Sequence, residues 1–220
     1  MKGYRVFDII GPRMIGPSSS HTAGAVRLGG VACRLVGGDV VRATVTLYGS
    51  FSKTGRGHGT DRAIVGGLLG LAPDDDAVRT AMELAREQGR DIRVLFSDEE
   101  PDHPNTARIA AEGRQGQRVE MVGASIGGGS IEVREINGME VSFGCEYPTL
   151  LVFHRDLPGV VGTVTSALGR HGVNIAFMRV FRHAKREDAC MVIETDGQIP
   201  RALIRQLPRE SPEITEVCTL

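Results

Sequence analysis

Neither sign of charge dominates this sequence: 26 lysines and arginines stand against 27 aspartates and glutamates, for a net charge of −1. There is thus no basic excess to mark nucleic acid or an anionic membrane surface as the main partner. Long apolar runs are missing, and none reaches the roughly 18 residues that a membrane span requires. The opening "MKGYRVFDII" is too short and too polar for a signal peptide, so a cytoplasmic protein is expected. Cysteine is scarce: Cys33, Cys145, Cys190 and Cys218 lie far apart with no CxxC pair. A disulfide framework is therefore not expected. Nor is a zinc or iron–sulfur site built by this chain alone, because close ligand spacing is absent.

What is present is an ordinary globular composition, 41% hydrophobic and 24% charged over 220 residues, enough for one large or two small domains. Glycine is abundant before residue 145, densest in "GRGHGTD" and "GASIGGGS". Val40–Tyr48 alternates with period two, Val41, Ala43, Val45 and Leu47 facing one way, and predicts a half-buried strand. Asp74–Gln88 follows Pro73, carries acids in its first turn and ends at Gly89, which predicts a single helix. Ile92–Phe96 reads as a strand. Val119–Ile126, Ile131–Ile136 and Met139–Phe143 read as an antiparallel set, with Asn137-Gly138 as a tight hairpin turn.

Near Tyr147-Pro148 the texture changes. Thr149–His154 (strand), Val160–Arg170 (helix), Val173–Arg182 and Asp188–Thr195 (strands), Pro200–Leu207 (helix) and Glu213–Thr219 (strand) follow the βαββαβ order of a ferredoxin-like sandwich. The expected class is α/β (α+β), with domains 1–146 and 147–220.

Two stretches of the first half carry chemistry. "IGPSSSHTAG", residues 15–24, precedes a run that reads as a helix. It has neither the glycine spacing of a nucleophile elbow nor the lysine of a phosphate loop. Ser20 or Thr22 as a helix cap, and a helix-start site for a small carboxylate, both remain open. His58 stands between glycines after a strand, in a place where a backbone passes close to a ligand and the imidazole is uncrowded. Its ring suits proton transfer near neutral pH. His103 lies in "DHPNT".

"FDIIGPRMIGPSSSHTAG" followed by "YGSFSKTGRGHGTD" resembles the N-terminal part of iron–sulfur-dependent L-serine dehydratases (L-serine ammonia-lyases), and with the C-terminal half the whole chain resembles their beta subunit. The resemblance implies a fold shared with an allosteric substrate-binding domain of some phosphoglycerate dehydrogenases. It implies deamination of L-serine to pyruvate and ammonia, a step in serine catabolism and gluconeogenesis. It also implies a 4Fe-4S cluster acting as Lewis acid on the departing hydroxyl. With too few clustered cysteines here, the cluster is expected on a partner alpha subunit, in a heterodimer with the active site between the chains, and no metal on this one. His58 is then the expected base, with His21 beside it as a catalytic residue. Ser18, Ser19, Ser20, Thr22, Thr60, Asp61, His103 and Asn105 are expected to bind substrate. The competing expectation is a non-catalytic module that senses serine for a dehydrogenase. A free-standing hydrolase lacks both an elbow and a metal cluster.

In the second half, "DLPG" before a helix and "GVNI" after it resemble an ACT domain, an amino-acid-sensing module. The resemblance implies self-association edge to edge, with an amino acid or a monovalent cation at the seam. Asp156, Leu157, Pro158, Gly159, Val160, Asn174 and Ile175 are expected to line that seam, Asn174 at the same end of the sheet as Asp156. The plainer reading is that these are only turn and cap residues of a docking surface.

Overall fold

The computed structural model describes residues 13–220, so the "MKGYRVFDII" opening and the first part of the dehydratase-like motif lie outside the described residues. By compactness the chain divides at the Asn137-Gly138 turn into Met1–Gly138 and Met139–Leu220.

The first unit starts with a π-helical turn, Ser20–Gly24, that runs into α1 (Ala25–Leu35). Strand β1 (Val40–Leu47) follows, then α2 (Gly49–His58) and α3 (Thr60–Leu68). A 3₁₀ turn (Asp76–Thr80) and α4 (Ala81–Glu87) lead to β2 (Asp91–Phe96), which pairs parallel with β1. Then come β3 (Thr106–Gly113), β4 (Arg118–Gly127) and β5 (Ser130–Ile136). Within this unit the sheet has the order β2-β1-β3-β4-β5, and β6 (Met139–Phe143) opens the second unit. On β1, Ala43, Val45 and Leu47 are buried while Arg42 is exposed, as the period-two pattern requires. At the start of the strand, however, Val40 rather than Val41 is buried, where the register with the antiparallel neighbour shifts between Val40 and Arg42. Asn137 and Gly138 both take positive φ, 51° and 78°, which is the backbone a two-residue hairpin turn demands.

Glycine sets the helix packing. A Cβ on Gly29 of α1 would lie 2.2 Å from the Ile64 carbonyl of α3, and one on Gly67 of α3 would lie 2.0 Å from the Val26 carbonyl of α1. The two helices therefore cross with their backbones in contact. This crossing matters because α1 continues the turn bearing His21, and α3 starts two residues after His58.

One expectation is corrected in this unit, and two elements form where the sequence reading assigned no structure. Asp74–Gln88 is not one helix. Asp75 accepts a hydrogen bond from the Ala77 N–H at 2.9 Å, a 3₁₀ turn follows, and the break comes at Thr80 (φ −115°) before α4. "GSFSKTGRGH" is a helix: Phe51 is fully buried, and Gly59 in the left-handed region (φ 72°) ends α2. Thr106–Gly113, read as no element, is a strand held between β1 and β4.

The second unit has β7 (Thr149–Arg155), α5 (Val160–Arg170), β8 (Ile175–Arg182), β9 (Asp188–Thr195), α6 (Arg201–Glu210) and β10 (Ile214–Thr219). Its sheet has the order β10-β7-β9-β8, with β8 at an edge. Leu150, Val152, Met191 and Ile193 pack with Val164, Leu168, Leu203 and Leu207 of the two helices. This is the βαββαβ sandwich expected. One placement within it is corrected. β7 and β8 both pair antiparallel with β9, so they run parallel to each other. Asp156 follows the end of β7, whereas Asn174 precedes the start of β8. They lie at opposite ends of the sheet, because α5 returns the chain to the end where β7 began. Val160 is also not available to a seam, being 3% exposed within the core.

Candidate active site

The end of β1, the start of β3 and the end of β4 meet at one end of the first sheet, since Leu47 pairs with Ala107 and Thr106 with Ala124. α2 leaves that end, and the π-helical turn packs against α2 and β4 there. Topology thus gathers three segments distant in sequence: "SSSHT", "GSFSKTGRGH" and "DHPNT".

The π register comes from a hydrogen bond between the Gly24 N–H and the Ser19 carbonyl at 3.0 Å, five residues back. Such turns recur at functional sites. Two close contacts hold it. A Cβ on Gly24 would lie 2.1 Å from the Ser125 Oγ, and one on Gly16 would lie 2.2 Å from the Thr22 Oγ1. Neither Ser20 nor Thr22 caps the helix, which corrects that expectation: the N-cap is Ser19, whose side chain makes no cap bond, and the Ser18 Oγ accepts from the His21 N–H at 3.3 Å.

His21 and His58 share one site, with ring centroids 4.7 Å apart and planes at 37°. His21 is 8% exposed and packs edge-on against Phe51 at 5.2 Å. Its Nδ1 faces the Ser18 Oγ at 3.3 Å, and its Nε2 faces the Thr54 Oγ1 at 3.0 Å and the Ser50 Oγ at 3.4 Å. Burial holds the His21 pKa below the ordinary histidine value, against a hydrogen bond to the Ser50 backbone that raises it, and the neighbouring His58 lowers it further. His58 Nδ1 lies 3.1 Å from the Thr54 carbonyl oxygen. A carbonyl only accepts, so Nδ1 carries the proton and Nε2 keeps its lone pair.

His58 lines a cleft of about 390 Å³ with Ile15, Gly16, Gly57, Arg62 and Arg79 among its walls. Of the residues picked from sequence, His58 alone lines it. Arg79 pairs loosely with Asp76 at 3.8 Å. Thr22 and Thr60 are buried, their hydroxyls without hydrogen-bond partners. Asp61 stands in the first turn of α3 and accepts from the Arg62 N–H at 2.9 Å. The Ser19 carbonyl serves the π turn, and Ser20 begins it. His103 and Asn105 flank Pro104, whose carbonyl accepts from the Ser50 N–H at 2.6 Å. This turn presses on α2 where Gly49 (φ 54°) leaves room, since a Cβ there would lie 2.6 Å from the Pro104 carbonyl. His103 Nδ1 accepts from the Asn105 N–H at 3.2 Å, and Asn105 Nδ2 donates to the Ser125 carbonyl at 3.4 Å. The "HPN" turn thus buttresses the helix under the histidines through Ser50.

Sequence reasoning missed Ser50, Thr54, Arg62 and Arg79. A helical reading of residues 49–58 would have found two of them: Ser50, Thr54 and His58 recur every four residues on one helix face.

No grouping of three or more His, Cys, Asp or Glu side chains among the described residues could hold a metal ion. The cysteines do not fit a cluster. Cys190 is fully buried on β9 with its thiol pushed up to about 12 by burial, and burial also raises Cys33. Cys218 on β10 is separated from β9 by β7, roughly 10 Å at ordinary strand spacing. No helix among the described residues is long and apolar enough to cross a membrane.

In the second unit Asp156 accepts from Arg182 Nη1 at 2.9 Å and from the Arg186 N–H at 3.3 Å, and Arg182 holds its carboxyl below the usual range. Gly159 (φ 94°) precedes α5. Asn174 donates to the Asp196 carboxylate at 2.5 Å, and Ile175 packs half-buried on the core. Leu157, Phe177 and Val180 are exposed.

Comparison with known proteins supplies the context. The family profile for the serine dehydratase beta chain matches residues 5–95, and that for the ACT domain matches residues 148–207. The probable L-serine dehydratase, beta chain, of Bacillus subtilis (strain 168) is 44% identical over 99% of this chain and 98% of its own length. The L-serine dehydratase, beta chain, of Peptoniphilus asaccharolyticus is 36% identical over 92% of each. A D-3-phosphoglycerate dehydrogenase of Synechocystis sp. is 30% identical over 84% of this chain but only 33% of its own length.

Proposed function

Because this chain belongs to the L-serine dehydratase beta chain family, we propose that it is the beta subunit of an enzyme that converts L-serine to pyruvate and ammonia. In this proposal the 4Fe-4S cluster and its cysteine ligands belong to a partner alpha subunit in the cytoplasm. The active site forms where that subunit meets the His58 cleft. The described residues of this chain make no cluster site, so its part in the reaction falls to its own side chains.

The carrying observation is the state of His58. Its Nδ1–H is committed to the Thr54 carbonyl, and the basic Nε2 belongs to a ring lining a cleft with two arginines. A serine zwitterion whose carboxylate meets Arg62 or Arg79 can present its α-hydrogen to that nitrogen. Nε2 then takes the α-proton. The released electron pair forms the Cα–Cβ double bond as the β-hydroxyl leaves as hydroxide, for which the partner's cluster would supply a Lewis acid, and the proton taken by Nε2 completes the molecule of water lost. The resulting enamine tautomerises to an imine, which water hydrolyses to pyruvate and ammonia. Burial holds the pKa of His21 below the ordinary histidine value, which disfavours a second positive charge beside the base. The dehydrogenase-module reading is less well supported, because this chain matches beta chains over nearly their whole length and that enzyme over a third. Assaying the chain alone, the alpha subunit alone and the two recombined tests the proposal.

The ACT domain completes the proposal. β8 is an edge strand carrying exposed Phe177 and Val180. Antiparallel pairing of two β8 edges brings the Asn174 end of one copy to the Asp156 turn of the other. That is how the two motifs, apart within one chain, can form one effector seam for an amino acid or monovalent cation. Phe177→Asp is expected to shift the chain from dimer to monomer in sedimentation velocity; an unchanged sedimentation coefficient would place self-association elsewhere.

A further inference from the structure

Thr54 touches both histidines, with different atoms. Its hydroxyl donates to the Ser50 carbonyl at 2.9 Å, one turn back on α2. With its proton so used, the Oγ1 can only accept from His21 Nε2, 3.0 Å away. That requires Nε2 to carry the His21 proton and leaves Nδ1 to accept from the Ser18 hydroxyl at 3.3 Å. Ser18 Oγ in turn accepts from the His21 N–H. The opposite His21 tautomer would set an unprotonated Nε2 against an oxygen whose proton is already used, leaving only the more distant Ser50 Oγ, 3.4 Å away, to donate to it. The Thr54 carbonyl, meanwhile, accepts from His58 Nδ1 at 3.1 Å.

We propose that Thr54 is the positioning residue of the histidine pair: its hydroxyl sets the tautomer and ring plane of His21, while its backbone carbonyl sets those of His58. The two imidazoles are thus held in opposite tautomers by one residue. His21 presents an N–H at Nε2, and His58 presents a lone pair there. The arrangement keeps His21 aligned as the tilted ring neighbour of the base, which rests on the reading of His58 as the base. Removing the hydroxyl should disturb His21 and spare the tautomer of His58, because no substitution removes the carbonyl.

The test separates those two effects. Thr54 is exposed on α2, so Thr54→Val leaves the core intact and keeps a β-branched side chain; Thr54→Ser restores the hydroxyl. Nitrogen chemical shifts of the histidine rings in the full chain, assigned with His21→Gln and His58→Gln, report the tautomers without any activity. The wild type is expected to show the Nε2–H form for His21 and the Nδ1–H form for His58. Thr54→Val should convert His21 to a mixture and leave His58 unchanged, and Thr54→Ser should return the wild-type pattern. In the recombined enzyme, Thr54→Val should lower kcat about 10-fold with little change in KM, as expected for loss of a group that orients a functional histidine. Unaltered His21 shifts in Thr54→Val, or a wild-type His21 in the Nδ1–H form, would overturn the proposal. The expected shifts in a chain that supports no serine elimination with any partner would uphold Thr54 and count against the enzymatic reading instead.

Discussion

His58→Ala is expected to reduce pyruvate formation by the recombined enzyme by about 10²–10⁴-fold, the range associated with loss of a general base. The chemistry sets the expectation. The α-hydrogen of serine is weakly acidic, and the elimination cannot proceed until a base holds that proton. His58 supplies a fixed lone pair at Nε2, since its other nitrogen is committed to the Thr54 carbonyl. His21 cannot substitute, because its Nε2 is engaged by Thr54 and its Nδ1 by Ser18. Solvent exchange of the serine α-hydrogen should fall with pyruvate, and the variant should still fold and bind its partner. A variant that exchanges and eliminates at near wild-type rates would remove His58 as the base. Loss of kcat and kcat/KM together, with little change in substrate binding, distinguishes a missing base from a damaged pocket.

The second large effect is on the frame that brings the histidines together. Gly67→Ala places a methyl 2.0 Å from the Val26 carbonyl and 2.7 Å from the Gly30 nitrogen. Both are backbone atoms inside α1, so no side-chain rotation relieves the clash. The helices must separate or tilt. Overpacking of this kind costs about 1–3 kcal/mol. In a chain of this size that corresponds to a fall in melting temperature of roughly 2–12 °C. Activity should drop as well, since α1 continues from the His21 turn and α3 follows directly on His58, so the 4.7 Å ring separation depends on this crossing. Gly70→Ala is the control for the loss of glycine itself, because nothing lies within 4 Å of a Cβ there, although its φ of 80° adds some strain. Equal melting temperatures for Gly67→Ala and wild type would show that the helices do not pack in contact.

The elements that could be read from sequence are those with a local cause. Val40–Leu47 alternates because one face is buried, and Asn137-Gly138 turns because both residues tolerate positive φ. The βαββαβ half is legible because each element has its own stop signal, as Gly172 after α5. What could not be read is set by distant partners. Thr106–Gly113 is rich in alanine and becomes a strand through pairing on both sides. Residues 49–58 contain three glycines and little helix propensity, and they form a helix because Phe51 is buried and Pro104 meets the backbone at Gly49. Missing that helix concealed Ser50 and Thr54, although His21 and His58 stood out. The arginines of the cleft reach it from α3 and the 3₁₀ turn, an approach that only the three-dimensional fold reveals.

The proposed enzyme rests on a division of labour: this chain supplies the base, and its partner supplies the cluster. Iron and acid-labile sulfide, measured on each chain purified alone under anaerobic conditions and followed by pyruvate assay before and after mixing, test that division directly. The expected result is a 4Fe-4S cluster on the alpha subunit, none on this chain, and pyruvate only when the two are combined. A stoichiometric cluster on this chain by itself, or pyruvate formed without the partner, would contradict it.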